Sequence, residues 1–96
     1  MKPTALLTNP IDNVATVVRD ISKNEKTTYL LYEDLKTVAA NASIPIYHKI
    51  ALCAIPSGSD VIKYGQVIGM ATSDIIKGDW VHVHNVESKR GRGDLF

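Results

Sequence analysis

The chain has 96 residues, 11 of them basic and 10 acidic, for a net charge of +1. That length suits one domain with a modest core and is too short to enclose a deep substrate cleft unaided. The charge balance leaves no basic footprint for nucleic acid. No apolar run approaches the roughly 20 residues of a membrane span. The single cysteine, Cys53, excludes an intrachain disulfide. Its neighbours Ala51, Leu52, Ala54 and Ile55 predict a buried structural thiol. The missing disulfide and the missing signal peptide point to the cytoplasm.

In chain order, residues 13–19 open with Val14-Ala15-Thr16-Val17-Val18, a β-branched run that predicts a strand. Before it, Asn9-Pro10 is a turn signal. The side chains of Asp12 and Asn13 then either close that turn or bind a ligand. Three segments share one form: Ile21-Ser22-Lys23-Asn24, Ile55-Pro56-Ser57-Gly58 and Ile75-Ile76-Lys77-Gly78. Gly and Asn enter the left-handed backbone region at least cost, so each segment reads as a tight turn with its isoleucine tucked beneath. The middle is ambiguous. Leu31, Leu35, Val38 and Ala39 have helix-like spacing, which makes a short helix one reading. Residues 27–32 are β-prone, which makes a strand and an irregular excursion the other.

Further strands are expected at residues 49–54, 60–63, 66–70 and 80–86. Lys63-Tyr64-Gly65-Gln66 reads as a hairpin turn, and Lys63 also suits pairing with a carboxylate. In the last strand Trp80, His82 and His84 alternate with valines, which places both imidazoles of the His-x-His pair on one face. That spacing suits one metal ion, given a third ligand from His48, an acid or a partner chain, and equally suits hydrogen-bonded surface histidines. His48 precedes a strand, where a side chain is presented at a strand end. Residues 87–96, with Lys89, Arg90 and Arg92, read as a linker-like tail after a domain of residues 1–86.

Taken together, Asp12-Asn13-Val14-Ala15, His48-Lys49-Ile50-Ala51-Leu52, Val61-Ile62-Lys63-Tyr64-Gly65, Ile68-Gly69, Ala71-Thr72, Asp74-Ile75 and His82-Val83-His84-Asn85 resemble the SAF-type domain of the altronate and galactarate dehydratase family. In that family the domain begins a long sugar-acid dehydratase or stands alone as a small subunit, as in sulfolactate sulfo-lyase. The resemblance implies a mainly β, β-clip fold. It implies a part in a lyase that eliminates water or sulfite from a 2-hydroxy acid, with a larger catalytic chain as partner. It implies catalytic roles for His48, His82 and His84, substrate contacts at Asp12, Asn13 and Lys63, and iron or manganese in the complete enzyme with His82 and His84 as ligands. A homo-oligomer is compatible with exposed strand edges. Tyr47 stands where the family pattern carries glycine, and residues 25–46 do not align readily. The competing reading is a non-catalytic SAF-type module that binds a ligand or a partner.

Overall fold

A computed structural model describes residues 2–88 of the chain. Nine strands form: β1 (Ala5–Leu6), β2 (Val14–Val17), β3 (Lys26–Leu31), β4 (Asp34–Ala39), β5 (Lys49–Ala51), β6 (Asp60–Lys63), β7 (Gln66–Ala71), β8 (Trp80–Val81) and β9 (Val86–Ser88). A central four-stranded sheet has the order β1-β2-β5-β8, a hairpin pairs β3 with β4, and a third sheet has the order β6-β7-β9. Every pairing is antiparallel. The mainly β expectation therefore holds. β9 takes Glu87 and Ser88 into a sheet, while the rest of the expected tail, with its basic cluster, lies outside the described residues.

The helix option in the middle is replaced by the β3–β4 hairpin, paired from Lys26↔Ala39 to Leu31↔Asp34. The helix-like stripe does not bury: Leu35 is exposed and only Val38 reaches the core, opposite the buried Thr27. Thr27, Thr28, Tyr29, Thr37 and Val38 are residues that suit a pleated surface, and their pairing decides the segment.

The repeated turns carry the architecture, and there are four of them rather than three. Their third-from-isoleucine positions are Asn24, Tyr47, Gly58 and Gly78, with φ of 72°, 69°, 86° and 94°. A positive φ at the third residue of a turn is the type II signature. The turns close through Glu25 N–H to Ser22 O, His48 N–H to Pro45 O, Ser59 N–H to Pro56 O and Asp79 N–H to Ile76 O, at 2.9–3.0 Å. The copy Ile44-Pro45-Ile46-Tyr47 is hidden in the sequence because tyrosine occupies the left-handed position.

The turns pair two by two. Ile21 and Ile44 exchange both backbone hydrogen bonds, as do Ile55 and Ile75. Each pair joins an Asp-Ile-x-Lys turn to an Ile-Pro turn. Asp20 accepts from the N–H of Ile46 across the first pair, and Asp74 accepts from the N–H of Ser57 across the second. Glu25 and Asp79 accept from the first-residue N–H of their own turns, at Ser22 and Ile76. In the partner turns that position is Pro45 or Pro56, which has no N–H to satisfy. All four isoleucines are buried, and each contributes about 1.5–3 kcal/mol of apolar burial.

Two cores result, one on each face of the central sheet. Ala15, Val17, Ile21, Val38, Ile44 and Ile50 form the first, with Trp80 packed against it. Val14, Ala51, Ile55, Val61, Ile75 and Val81 form the second. Cys53 belongs to neither and is exposed, contrary to the buried thiol expected. Strand β5 stops at Ala51, so the apolar neighbours of Cys53 do not extend the strand past it.

Candidate functional site

The strand expected over residues 80–86 is cut short after Val81, and this reshapes the histidine pair. Asn85 is buried, and its side chain accepts from the N–H of His82 and donates to the carbonyl of Trp80, each at 2.9 Å. Its own N–H donates to the His82 carbonyl at 3.1 Å. These bonds close a turn at residues 82–85, and Val83 is left exposed at its tip. His82 and His84 therefore do not share a strand face in the manner that alternation predicts.

Register supplies a different pair. β5 and β8 align Lys49 with Val81 and Ile50 with Trp80. One step further places His48 opposite His82, and their ring centroids lie 4.4 Å apart. Trp80 is the floor of the cluster. Its indole is stacked with His82 at 5.7 Å and 9°, and lies 5.0 Å from His84 and 5.7 Å from His48. The indole N–H donates to Nδ1 of His48 at 3.1 Å. An accepting Nδ1 leaves the ring proton on Nε2, so this bond selects one neutral tautomer and presents Nε2–H outward. Burial holds the pKa of His82 below its ordinary value, and electrostatic interaction with His48, Lys49 and His84 adds to that depression.

Beside the histidines runs a cationic groove. Lys49, the first residue of β5, pairs with Thr16 of β2, so both side chains leave the same face of the sheet. With Tyr47, Lys63, Tyr64 and Ile68 they line a groove of about 490 Å³. A second groove of about 310 Å³ holds Lys49 and Ile68 again, together with His82 and Val83. Lys49 thus borders both. Its pKa is lowered by burial and further by Lys63. Lys63 is buried, with Nζ 3.7 Å from the centroid of the Tyr64 ring. Hydrogen bonding from Lys63, and then its charge, pull the Tyr64 phenol below its ordinary value.

Asp12 and Asn13 lie close by but are turned to backbone. The Asp12 carboxylate accepts from the N–H of Tyr64 at 3.0 Å, the N–H of Gly65 at 2.8 Å and the hydroxyl of Thr8 at 2.7 Å. It thereby holds the hairpin turn between β6 and β7, where Tyr64 and Gly65 both have positive φ, the type I′ pattern. Asn13 donates to the Asp60 carbonyl and accepts from the N–H of Ile62, spanning the register shift at Val61 and Ile62. Residue types had marked His48, His82, His84 and Lys63. They had not marked Trp80, Lys49, Thr16, Tyr47 and Tyr64, which enter through register and through the positive-φ turns. Among the described residues no three His, Cys, Asp or Glu side chains gather as metal ligands. Nδ1 of His48 is, besides, already engaged by Trp80. A metal held by His82 and His84 would therefore need further ligands from outside the described residues. Among the described residues, too, no helix is long and apolar enough to cross a membrane.

Comparison with known proteins bears on the chain as a whole. Residues 3–89 match the family described as the altronate/galactarate dehydratase SAF domain. Altronate dehydratase of Escherichia coli (strain K12) is 37% identical over 86 residues, which cover 90% of this chain and 17% of that protein. Its Bacillus subtilis (strain 168) counterpart is 38% identical over 85 residues, covering 88% of this chain and 16% of that protein. The (2R)-sulfolactate sulfo-lyase subunit alpha of Paracoccus pantotrophus is 47% identical over 53 residues, 55% of this chain and 79% of that subunit. The chain therefore spans less than a fifth of the altronate dehydratases and most of a small lyase subunit. It belongs to the altronate/galactarate dehydratase SAF-domain family.

Proposed function

We propose that this domain forms the histidine wall of a lyase active site completed by a larger chain, in the elimination of water or sulfite from a hydroxy acid. The observation that carries this reading is the facing of His48 and His82 at 4.4 Å over Trp80. In β-elimination a base takes the proton from the carbon beside the carboxylate. The electron pair left behind forms the new double bond, and the C–O or C–S bond breaks. Two imidazoles in distinct protonation environments suit the two ends of that process. His82, with its depressed pKa, is neutral near neutrality and able to accept a proton. His48 would offer Nε2–H as a hydrogen-bond donor to a leaving oxygen, and the proton that turns a departing hydroxide into water would return from the imidazolium formed on His82. His84, exposed beside Trp80, borders the same surface. The iron or manganese implied by the resemblance is assigned in this reading to the larger chain, because this domain gathers no three ligands among its described residues.

The test is reconstitution with a larger chain carrying the remainder of a family dehydratase, assayed on altronate, galactarate and sulfolactate. The small chain alone is expected to be inactive and the pair active. His82→Ala and His48→Ala are expected to lower kcat by about 100-fold or more, the usual contribution of a positioned proton-transfer group. Turnover by the small chain alone, or unchanged kcat in both variants, would overturn the reading.

A further inference from the structure

We propose that the groove formed by Thr16, Lys49, Lys63 and Tyr64 is an oxyanion subsite that seats the carboxylate or sulfonate of a small acid. The first argument is uncompensated charge. Lysine is rarely buried without a partner, yet Lys63 is only 6% exposed. Among the described residues the one ion pair joins Arg19 to Glu25, and neither Lys49 nor Lys63 meets a carboxylate. Asp12, which acts electrostatically on Tyr64, is spent on two backbone N–H groups and a hydroxyl. Tyr64 offers Lys63 its ring face and its hydroxyl, but no carboxylate.

The second argument is an orphaned hydroxyl. Thr16 Oγ1 is the buried side-chain polar atom left without a hydrogen-bond partner among the described residues. It lines the same groove, and Thr16 pairs directly with Lys49 across β2 and β5. A hydroxyl without a partner and two lysine side chains line one groove, where a seated oxyanion would give all three a partner. The groove, at about 490 Å³, has room for an acid of a few carbons. The depressed pKa of Lys49 agrees with two cations held near each other.

Position adds a consequence for orientation. Lys49 also borders the groove that contains His82, so an acid anchored at the lysines extends its carbon chain towards the histidines. Only this last step, which makes the bound acid the one undergoing elimination, rests on the proposed function. Oxyanion binding itself needs no second chain.

The experiment is a heteronuclear NMR titration of the 96-residue chain at constant ionic strength, with malate as the carboxylate probe, sulfate as the sulfonate stand-in and chloride as control. Saturable shifts are expected at Thr16, Lys49, Lys63 and Tyr64 with malate or sulfate and not with chloride. Lys63→Met and Lys49→Met are each expected to weaken binding about tenfold, and Thr16→Val by a smaller factor. Thermal unfolding of each variant confirms that the fold persists, and Lys49→Met, at a half-buried position, serves if Lys63→Met does not fold. Shifts that fail to saturate, match chloride or survive both lysine substitutions overturn the subsite. Malate saturation together with unchanged turnover in His48→Ala and His82→Ala would leave the subsite standing and the proposed function fallen. Lost turnover in those variants without malate saturation would mean the reverse.

Discussion

The indole N–H of Trp80 donates to Nδ1 of His48 at 3.1 Å, so a residue with no acid–base chemistry of its own decides which nitrogen of the histidine carries the proton. Trp80→Phe keeps an aromatic floor and deletes the donor. In the parent chain, imidazole ¹⁵N shifts should report the Nε2-protonated tautomer of His48. In the variant they should report a mixture, with a stability loss of about 1 kcal/mol for one hydrogen bond. The same tautomer population in both would show that the indole does not set it.

A pH dependence follows from His82. Its folded pKa lies below the ordinary value of 6.5, chiefly through burial. Well above 6.5 the ring is neutral in folded and unfolded chains alike, and its burial costs nothing in protonation. As pH falls below 6.5, the unfolded chain takes up the proton before the folded one does. Stability is therefore lost progressively as pH falls towards the folded pKa. Denaturation curves at a series of pH values should show this loss, and His82→Asn should flatten it. In an NMR titration Lys49→Met should move the His82 midpoint upward, because one of the depressing charges is gone.

Tyr47 is the misfit among the four turns. A left-handed conformation costs a residue with a Cβ about 1–2 kcal/mol, and its side chain is exposed and returns little packing. Tyr47→Gly should stabilise the chain by about 0.5–1 kcal/mol after the entropy of glycine is deducted, read as a higher urea midpoint. The same variant removes one wall of the cationic groove and should weaken malate binding. A lower midpoint would show that Tyr47 contributes contacts that outweigh its backbone strain.

The strand content was largely legible because β-branched runs and Gly or Asn turns carry local signals. Residues 60–63 form the strand that composition predicts, and three of the four turns announce themselves. The fourth was hidden because Tyr47 violates the local rule that identifies the others. The hairpin at residues 26–39 was obscured because Leu31, Leu35 and Val38 mimic a helical period although only Val38 buries. At the site, histidine and lysine were marked by chemistry. Their neighbours were not, because the pairing of Thr16 with Lys49, and of His48 with His82, depends on register between strands far apart in the chain. Alternation also misassigned the His82–His84 relationship, since nothing in a period-two pattern reveals that Asn85 folds the backbone back.

The row Leu6, Thr16, Lys49 and Val81 crosses one face of the central sheet, while Ala5, Val17 and Ile50 occupy the other, on which His48 stands just beyond the end of β5. On the proposed readings, acid seating and proton handling lie on opposite faces of one layer of backbone and meet at its edge, where Lys49 and His82 border a common groove. A substitution at Thr16 or Leu6 changes the lining of that groove without passing through the packing around the imidazoles. On those readings, the groove can change its acid while the indole-supported histidines stay as they are.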